Sequence, residues 1–78
     1  MVYCDLIQST DFMGRYRFGF FSDDLSGEVI FYRDGTCEIK KIPETGDGLT
    51  RGVLSVAIKY KEDFANGVFK QRVSYERG

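Results

Sequence analysis

Two glycine-containing turns most constrain what this chain can fold into. Asp34-Gly35 and Asn66-Gly67 each lie between runs rich in β-branched and aromatic residues. Such dipeptides favour the two-residue type I′ turn of a β-hairpin, because the central residues of that turn need positive φ. The sequence therefore predicts two β-hairpins, and each turn implies a strand register that the side chains can check.

The first predicted hairpin has an apolar face and a polar face. A two-residue turn at Asp34-Gly35 pairs Tyr32 with Cys37, and these side chains begin the apolar face. Phe31 then falls on the opposite face, among charged and polar residues. We therefore expect Phe31 to be the one large aromatic side chain on the polar side of this ribbon.

The second predicted hairpin spans the C-terminal third of the chain. A turn at Asn66-Gly67 pairs Phe64 with Phe69, and apolar and polar residues alternate for about ten residues along both arms. A helix from Leu49 to Asn66 is the competing interpretation, because apolar residues recur there at helical spacing as well. The alternation and the turn together favour strands.

The remaining segments extend the same pattern. Val2 to Ser9 and Arg15 to Phe21 read as further strands, and the glycine-rich segment from Pro43 to Gly52 reads as the longest loop. The sequence thus predicts one all-β domain over residues 1–78, a small antiparallel meander of five to six strands. Closing it into an OB- or SH3-like barrel would remove the exposed strand edges.

Composition argues against catalysis. The chain has no histidine, so the usual general base near neutral pH and the commonest metal ligand are missing. Cys4 and Cys37 lie far apart and form no CxxC pair, which argues against a zinc site. They are expected as free thiols, with a disulfide as the alternative. We expect a protein that is not an enzyme and that needs no cofactor or metal.

The sequence also indicates where the protein works. No apolar run approaches the length needed to span a membrane, and Asp5 interrupts the apolar stretch after Met1. We therefore expect a cytoplasmic protein without a membrane partner.

Basic side chains cluster on the polar face of the second predicted hairpin. The net charge is −1, but the acidic residues concentrate in turns and the basic residues in strands, so one face can still be positive. Such a face suits a phosphate backbone. The alternative is an ordinary solvated sheet face. The residues of this stripe are Lys59, Lys61, Lys70 and Arg72.

Two neighbouring segments resemble a known family. The run RFGFF from Arg17 to Phe21, the acidic turn SDDLSGE and the run VIFYR ending at Arg33 look like the two nucleic-acid-binding strands of the cold-shock domain. The closing segment from Leu54 to Glu76 is similar to the final hairpin of that family. The resemblance covers about half of the chain. It implies a five-stranded OB-type barrel whose exposed aromatic rings stack on bases of single-stranded RNA or DNA.

The resemblance nominates specific residues for that binding. Three phenylalanines would be base-stacking platforms, and Arg33 would be a stacking or phosphate partner. The predicted strand pattern adds Lys40 and the basic stripe as cations that would flank them. The predicted nucleic-acid-binding residues are Phe18, Phe20, Phe31, Arg33, Lys40, Lys59, Lys61, Lys70 and Arg72.

An alternative to this placement of the aromatic residues, and with it an alternative function, stays open. The same aromatic strand can place Tyr16, Phe18 and Phe20 in the core and its arginines in water, since an unpaired buried arginine is costly. The chain would then be a protein-binding module, such as a small inhibitor or adaptor that covers a site on a partner protein. Solvent exposure of Phe18, Phe20 and Phe31 separates the two functions.

Overall fold

The computed structural model describes residues 1–43 and 50–76. Along the chain, four strands come first, two helices follow, and a short fifth strand comes last. The elements are β1 (Val2–Ser9), β2 (Met13–Gly19), β3 (Gly27–Tyr32), β4 (Cys37–Lys41), α1 (Thr50–Lys59), α2 (Lys61–Ala65) and β5 (Arg72–Tyr75).

The strands form one antiparallel sheet. The five strands lie in the order β4-β3-β2-β1-β5, so β1 to β4 make consecutive hairpins and β5 returns to pair with β1. The predicted small antiparallel β meander of five to six strands is confirmed. Within the described residues no ladder joins β4 to β5, so closure into a barrel stays a prediction.

The second predicted hairpin is wrong, because its first arm is helical. α1 and α2 occupy the segment that alternation assigned to a strand, and the competing helix interpretation is confirmed. Val53 and Val56 are fully buried, whereas Leu54 and Ile58 are exposed. A strand would place Leu54, Val56 and Ile58 on one face. Only helical geometry separates Val56 from the other two.

The Asn66-Gly67 signal marks a helix end. Gly67 has φ of +74°, whereas Asn66 has φ of −90°, so a type I′ turn is excluded. The N–H of Gly67 donates to the carbonyl of Phe64 at 3.0 Å, and the N–H of Val68 donates to that of Asp63 at 2.8 Å. This is the Schellman pattern, in which a left-handed glycine ends a helix. A hairpin turn and a helix end both favour glycine here because both need positive φ.

The first hairpin forms with a different register. Phe31 pairs with Cys37, and the N–H of Tyr32 donates to the carbonyl of Thr36 at 2.9 Å. The loop therefore has three residues and ends at Gly35, whose φ is +89°. A shift of one residue moves the side chains of one strand to the other face relative to its partner, and here Phe31 and Val29 of β3 face the core. The predicted place of Phe31 on the polar face is wrong, and its ring lies in the core.

The core lies between the inner face of the sheet and the two helices. The ring of Phe64 from α2 stacks on Phe31 at 5.1 Å and on Phe69 at 5.3 Å, between ring centroids. Tyr16 meets Phe31 edge-on and donates its hydroxyl to the carbonyl of Lys70 at 2.8 Å. The buried cluster consists of Val2, Cys4, Tyr16, Phe18, Val29, Phe31, Val53, Val56, Ala57, Phe64 and Val73.

Removing the ring of Phe31 should destabilise the fold strongly. We expect Phe31→Ala to lower the free energy of unfolding by about 3–5 kcal/mol, because it deletes a fully buried ring and leaves a cavity. The matched control is Phe12→Ala, whose ring is 71% exposed and should change stability by no more than about 0.5 kcal/mol. Urea denaturation measures both. Equal losses in the two variants would contradict this placement.

Candidate functional site

The predicted stacking platforms do not form an exposed surface. Phe18 and Phe31 are 1% and 0% exposed, so neither offers a ring face to a base. Phe20 is half-buried and packs edge-on against Phe18, with ring centroids 6.2 Å apart. The burial of Tyr16 and Phe18 confirms the alternative interpretation, in which the aromatic residues of this strand are core.

The outer face of the sheet balances its own charges. One row of cross-strand neighbours runs Arg72, Asp5, Arg17, Glu28 and Lys41, so that basic and acidic residues alternate across all five strands. Arg72 Nε lies 3.5 Å from Asp5 Oδ1. Opposite charges on facing positions stabilise a sheet modestly. Of the two arginines of β2, Arg17 is exposed as the alternative required, whereas Arg15 is half-buried and pairs with Glu28 at 2.8 Å. This face is therefore not a cationic surface.

Arg33 acts as a structural clamp. Its Nε and Nη2 donate to the carbonyl of Ala65 at 3.3 and 3.1 Å, and its Nη1 donates to the carbonyl of Asp11 at 3.2 Å. The carbonyl of Ala65 belongs to the last turn of α2, where helix carbonyls lack partners within the helix. Arg33 thus ties the β3–β4 turn to the end of α2 and to the β1–β2 turn.

The remaining predicted cations divide among separate places. Lys40 pairs with Glu38 at 2.8 Å on β4, and Arg72 lies at the opposite edge of the sheet. Lys59 and Lys70 both approach the ring of Tyr60, with Nζ 5.2 and 5.9 Å from its centroid. The predicted hairpin had placed both lysines on one face, and the structure brings both to the ring of Tyr60 although that hairpin does not form.

We call Lys59, Tyr60 and Lys70 the Tyr60 cluster. Its members are already engaged. Lys59 Nζ donates to the carbonyl of Ser74 at 2.9 Å, the N–H of Ser74 donates to Tyr60 Oη at 3.4 Å, and Lys70 Nζ lies 3.3 Å from Asp63. Ser74 belongs to the edge strand β5, so these side chains occupy backbone groups that another strand would need. Proteins commonly protect edge strands with lysine in this way.

The outer face of α1 carries apolar side chains that are exposed to solvent. Leu54 and Ile58 are 47% and 74% exposed and lie one turn apart. Arg51, Leu54, Ser55 and Ile58 follow the spacing of a single helix face. The helix therefore has two faces with apolar residues, one against the sheet and one without a partner in the described chain.

Neighbouring residues extend this face into an open depression of about 430 Å³. Its floor is close-packed, because a Cβ on Gly52 would lie 2.2 Å from Val2 Cγ2. Glycine therefore lets α1 approach β1 closely. We call the lining residues the α1 surface: Met1, Val2, Arg51, Gly52, Leu54, Ser55, Ile58 and Tyr75.

Sequence reasoning missed this surface, although a signal was present. On the helix interpretation, Val53, Ala57 and Tyr60 form the inward stripe, and Leu54 and Ile58 fall outside it. Apolar residues outside the core stripe of a surface helix indicate a second contact. The strand interpretation hid this signal by assigning Leu54 and Ile58 to the core face.

Two ionisable side chains, Cys4 and Tyr16, belong to the buried cluster. Cys4 and Cys37 are free thiols, as the favoured interpretation expected. Burial, with a smaller effect from Asp5, raises the pKa of Cys4 to about 12, and burial raises that of Tyr16 as well. Over residues 1–43 and 50–76, no three histidine, cysteine or acidic side chains come close enough to hold a metal ion.

Comparisons with known proteins add no relative. The chain matches no protein-family model, no curated protein and no solved structure. The resemblance to the cold-shock domain thus stays an expectation. Neither helix in the described ranges is long and apolar enough to cross a membrane.

The Cys4 thiol should make stability depend on alkaline pH. Folding holds its pKa near 12 against an ordinary value of 9.0, so above about pH 9 the unfolded chain loses a proton that the folded chain keeps. The free energy of unfolding therefore falls as pH rises. We expect Cys4→Ala to lose less stability than the wild type between about pH 8 and pH 10.5, measured by urea denaturation. Parallel losses in both proteins would contradict the shift.

Removing the two side-chain contacts to the backbone of Ser74 should expose the β5 edge. We expect Lys59→Ala/Tyr60→Phe to self-associate more than the wild type, because both backbone groups of Ser74 lose their side-chain partners. Sedimentation velocity over a concentration series measures this. The control is Lys61→Ala, which removes the exposed lysine next to Tyr60 in the sequence. Identical sedimentation of the double variant and the wild type would show that the contacts do not guard the edge.

Proposed function

We propose that this chain is a non-catalytic protein-binding module that covers a site on a partner protein with its α1 surface. One observation carries the proposal: α1 presents Leu54 and Ile58 to solvent beside Met1 and Tyr75. Contiguous exposed apolar side chains of this kind mark interaction sites in soluble proteins. Full burial of one such side chain contributes about 1.5–3 kcal/mol.

Two other surfaces support this choice because their polar groups already have partners. The outer sheet face pairs its own charges, and the backbone groups of Ser74 on the β5 edge are occupied. The lack of histidine supports a role without catalysis. Free thiols at Cys4 and Cys37 are typical of a reducing compartment, which supports action in the cytoplasm.

Single-stranded nucleic-acid binding is a second candidate, favoured by the convergence of two ammonium groups on the ring of Tyr60. Cations beside an aromatic ring suit a nucleic-acid strand. Lys59 and Lys70 would have to exchange their contacts with Ser74 and Asp63 for phosphates. The α1 surface needs no such exchange, and protein binding is therefore the better-supported function.

Ile58→Gln should weaken binding to the partner without unfolding the chain. The side chain is 74% exposed, and glutamine is a good helix former, so circular dichroism should show an unchanged fold. Proteins retained by the immobilised wild type from an extract of the producing cells are identified, purified and titrated calorimetrically. We expect Ile58→Gln to raise Kd at least about tenfold and the matched variant Phe12→Gln to leave it unchanged.

Two outcomes would contradict the proposal. One is a purified partner whose Kd is the same for Ile58→Gln and the wild type. The other is oligonucleotide binding that weakens with salt, is lost in Lys59→Ala/Lys61→Ala/Lys70→Ala and is untouched by Ile58→Gln. The second result would favour nucleic acid.

A further inference from the structure

We infer that the segment bound by the α1 surface is acidic, with an apolar side chain flanked by carboxylates. This inference rests on the proposed function and specifies the chemistry of the partner. Its first support is the uneven distribution of charge. Residues 1–43 contain five basic and seven acidic residues, whereas residues 50–76 contain five basic and three acidic residues. Of the two described ranges, the one that holds α1 is thus positive, although the whole chain is not.

The charges of α1 itself are all basic and flank its exposed apolar pair. Arg51 lies before Leu54, and Lys59 follows Ile58. On the other side of the surface, Glu76 follows Tyr75 of β5 in the sequence. The positive rim therefore belongs to the helix side of the α1 surface.

Arg51 occupies a position that disfavours the isolated fold. It lies in the first turn of α1, which contains no acidic residue. A cation there opposes the helix dipole and so disfavours the helix. Arg51 is exposed and forms no ion pair in the ranges described. An exposed cation that opposes the helix dipole and has no ion pair within those ranges is available to a carboxylate, which its guanidinium can bind through two parallel hydrogen bonds.

A second copy of the chain fits this surface less well. A two-fold interface uses the same patch on both copies. An antiparallel pair of α1 helices centred on Ser55 would bring Arg51 of each copy close to Lys59 of the other. Like charges at such an interface oppose association. The charge pattern therefore favours a different, acidic partner.

Selection from a random peptide library displayed on phage tests the inference without a known partner. The baits are the wild type, Arg51→Glu, Ile58→Gln and the control Lys41→Glu, which reverses an exposed charge on β4. We expect the wild type and Lys41→Glu to select peptides that combine an apolar residue with aspartate or glutamate. Synthetic copies of these peptides should bind Arg51→Glu at least about fivefold more weakly and should lose affinity as salt is raised.

The outcomes separate the inference from the proposed function. Peptides that depend on Ile58 but carry no excess of carboxylates would overturn the inference and leave the proposed function standing. A selection that yields no peptide whose binding depends on Ile58 would count against both the inference and the proposed function. Self-association of the wild type that Ile58→Gln abolishes, seen by sedimentation of the chain alone, would overturn the inference by showing a second copy as the occupant.

Discussion

The stack of Phe31, Phe64 and Phe69 is the contact on which the rest of the structure depends. It joins the sheet, α2 and the segment leading to β5 through rings whose centroids lie 5.1 and 5.3 Å apart. With Phe31 facing the helices, the register of β3 with β4 is fixed, because a shift of one residue would turn the ring to water. With Phe64 fixed, the helical segment is held against the sheet, and α1 packs Val53 and Val56 inward.

The sequence was sufficient for the strand-rich class of the fold and for its antiparallel order, because alternation and turn chemistry are local signals. The sequence did not decide the local structure at two glycines. Gly35 ends a loop of three residues instead of two, and Gly67 ends a helix instead of turning a hairpin. At both places the dipeptide indicates a residue with positive φ, and several kinds of turn and helix end contain such a residue. Packing of Phe31 and Phe64 selects among them.

The candidate site was predictable only where local signals in the sequence decide it. Lys59 and Lys70 both approach the ring of Tyr60, because the chain reverses between them whether it turns as a hairpin or ends a helix. The exposure of Leu54 and Ile58 was not predictable from alternation, since a strand would place them beside Val56. Whether apolar residues belong to the core or to an interface depends on the period of the element, which tertiary packing decided here.

The position of Val56 relative to Leu54 and Ile58 tests this structure and its proposed site together. Methyl relaxation in the presence of a soluble gadolinium chelate measures how closely solvent approaches each side chain. The helical packing predicts strong enhancement for Leu54 and Ile58 and weak enhancement for Val56, which is fully buried. Similar enhancement at all three residues would show them sharing one face, as in a strand, and would contradict both the packing of α1 and the surface proposed on it.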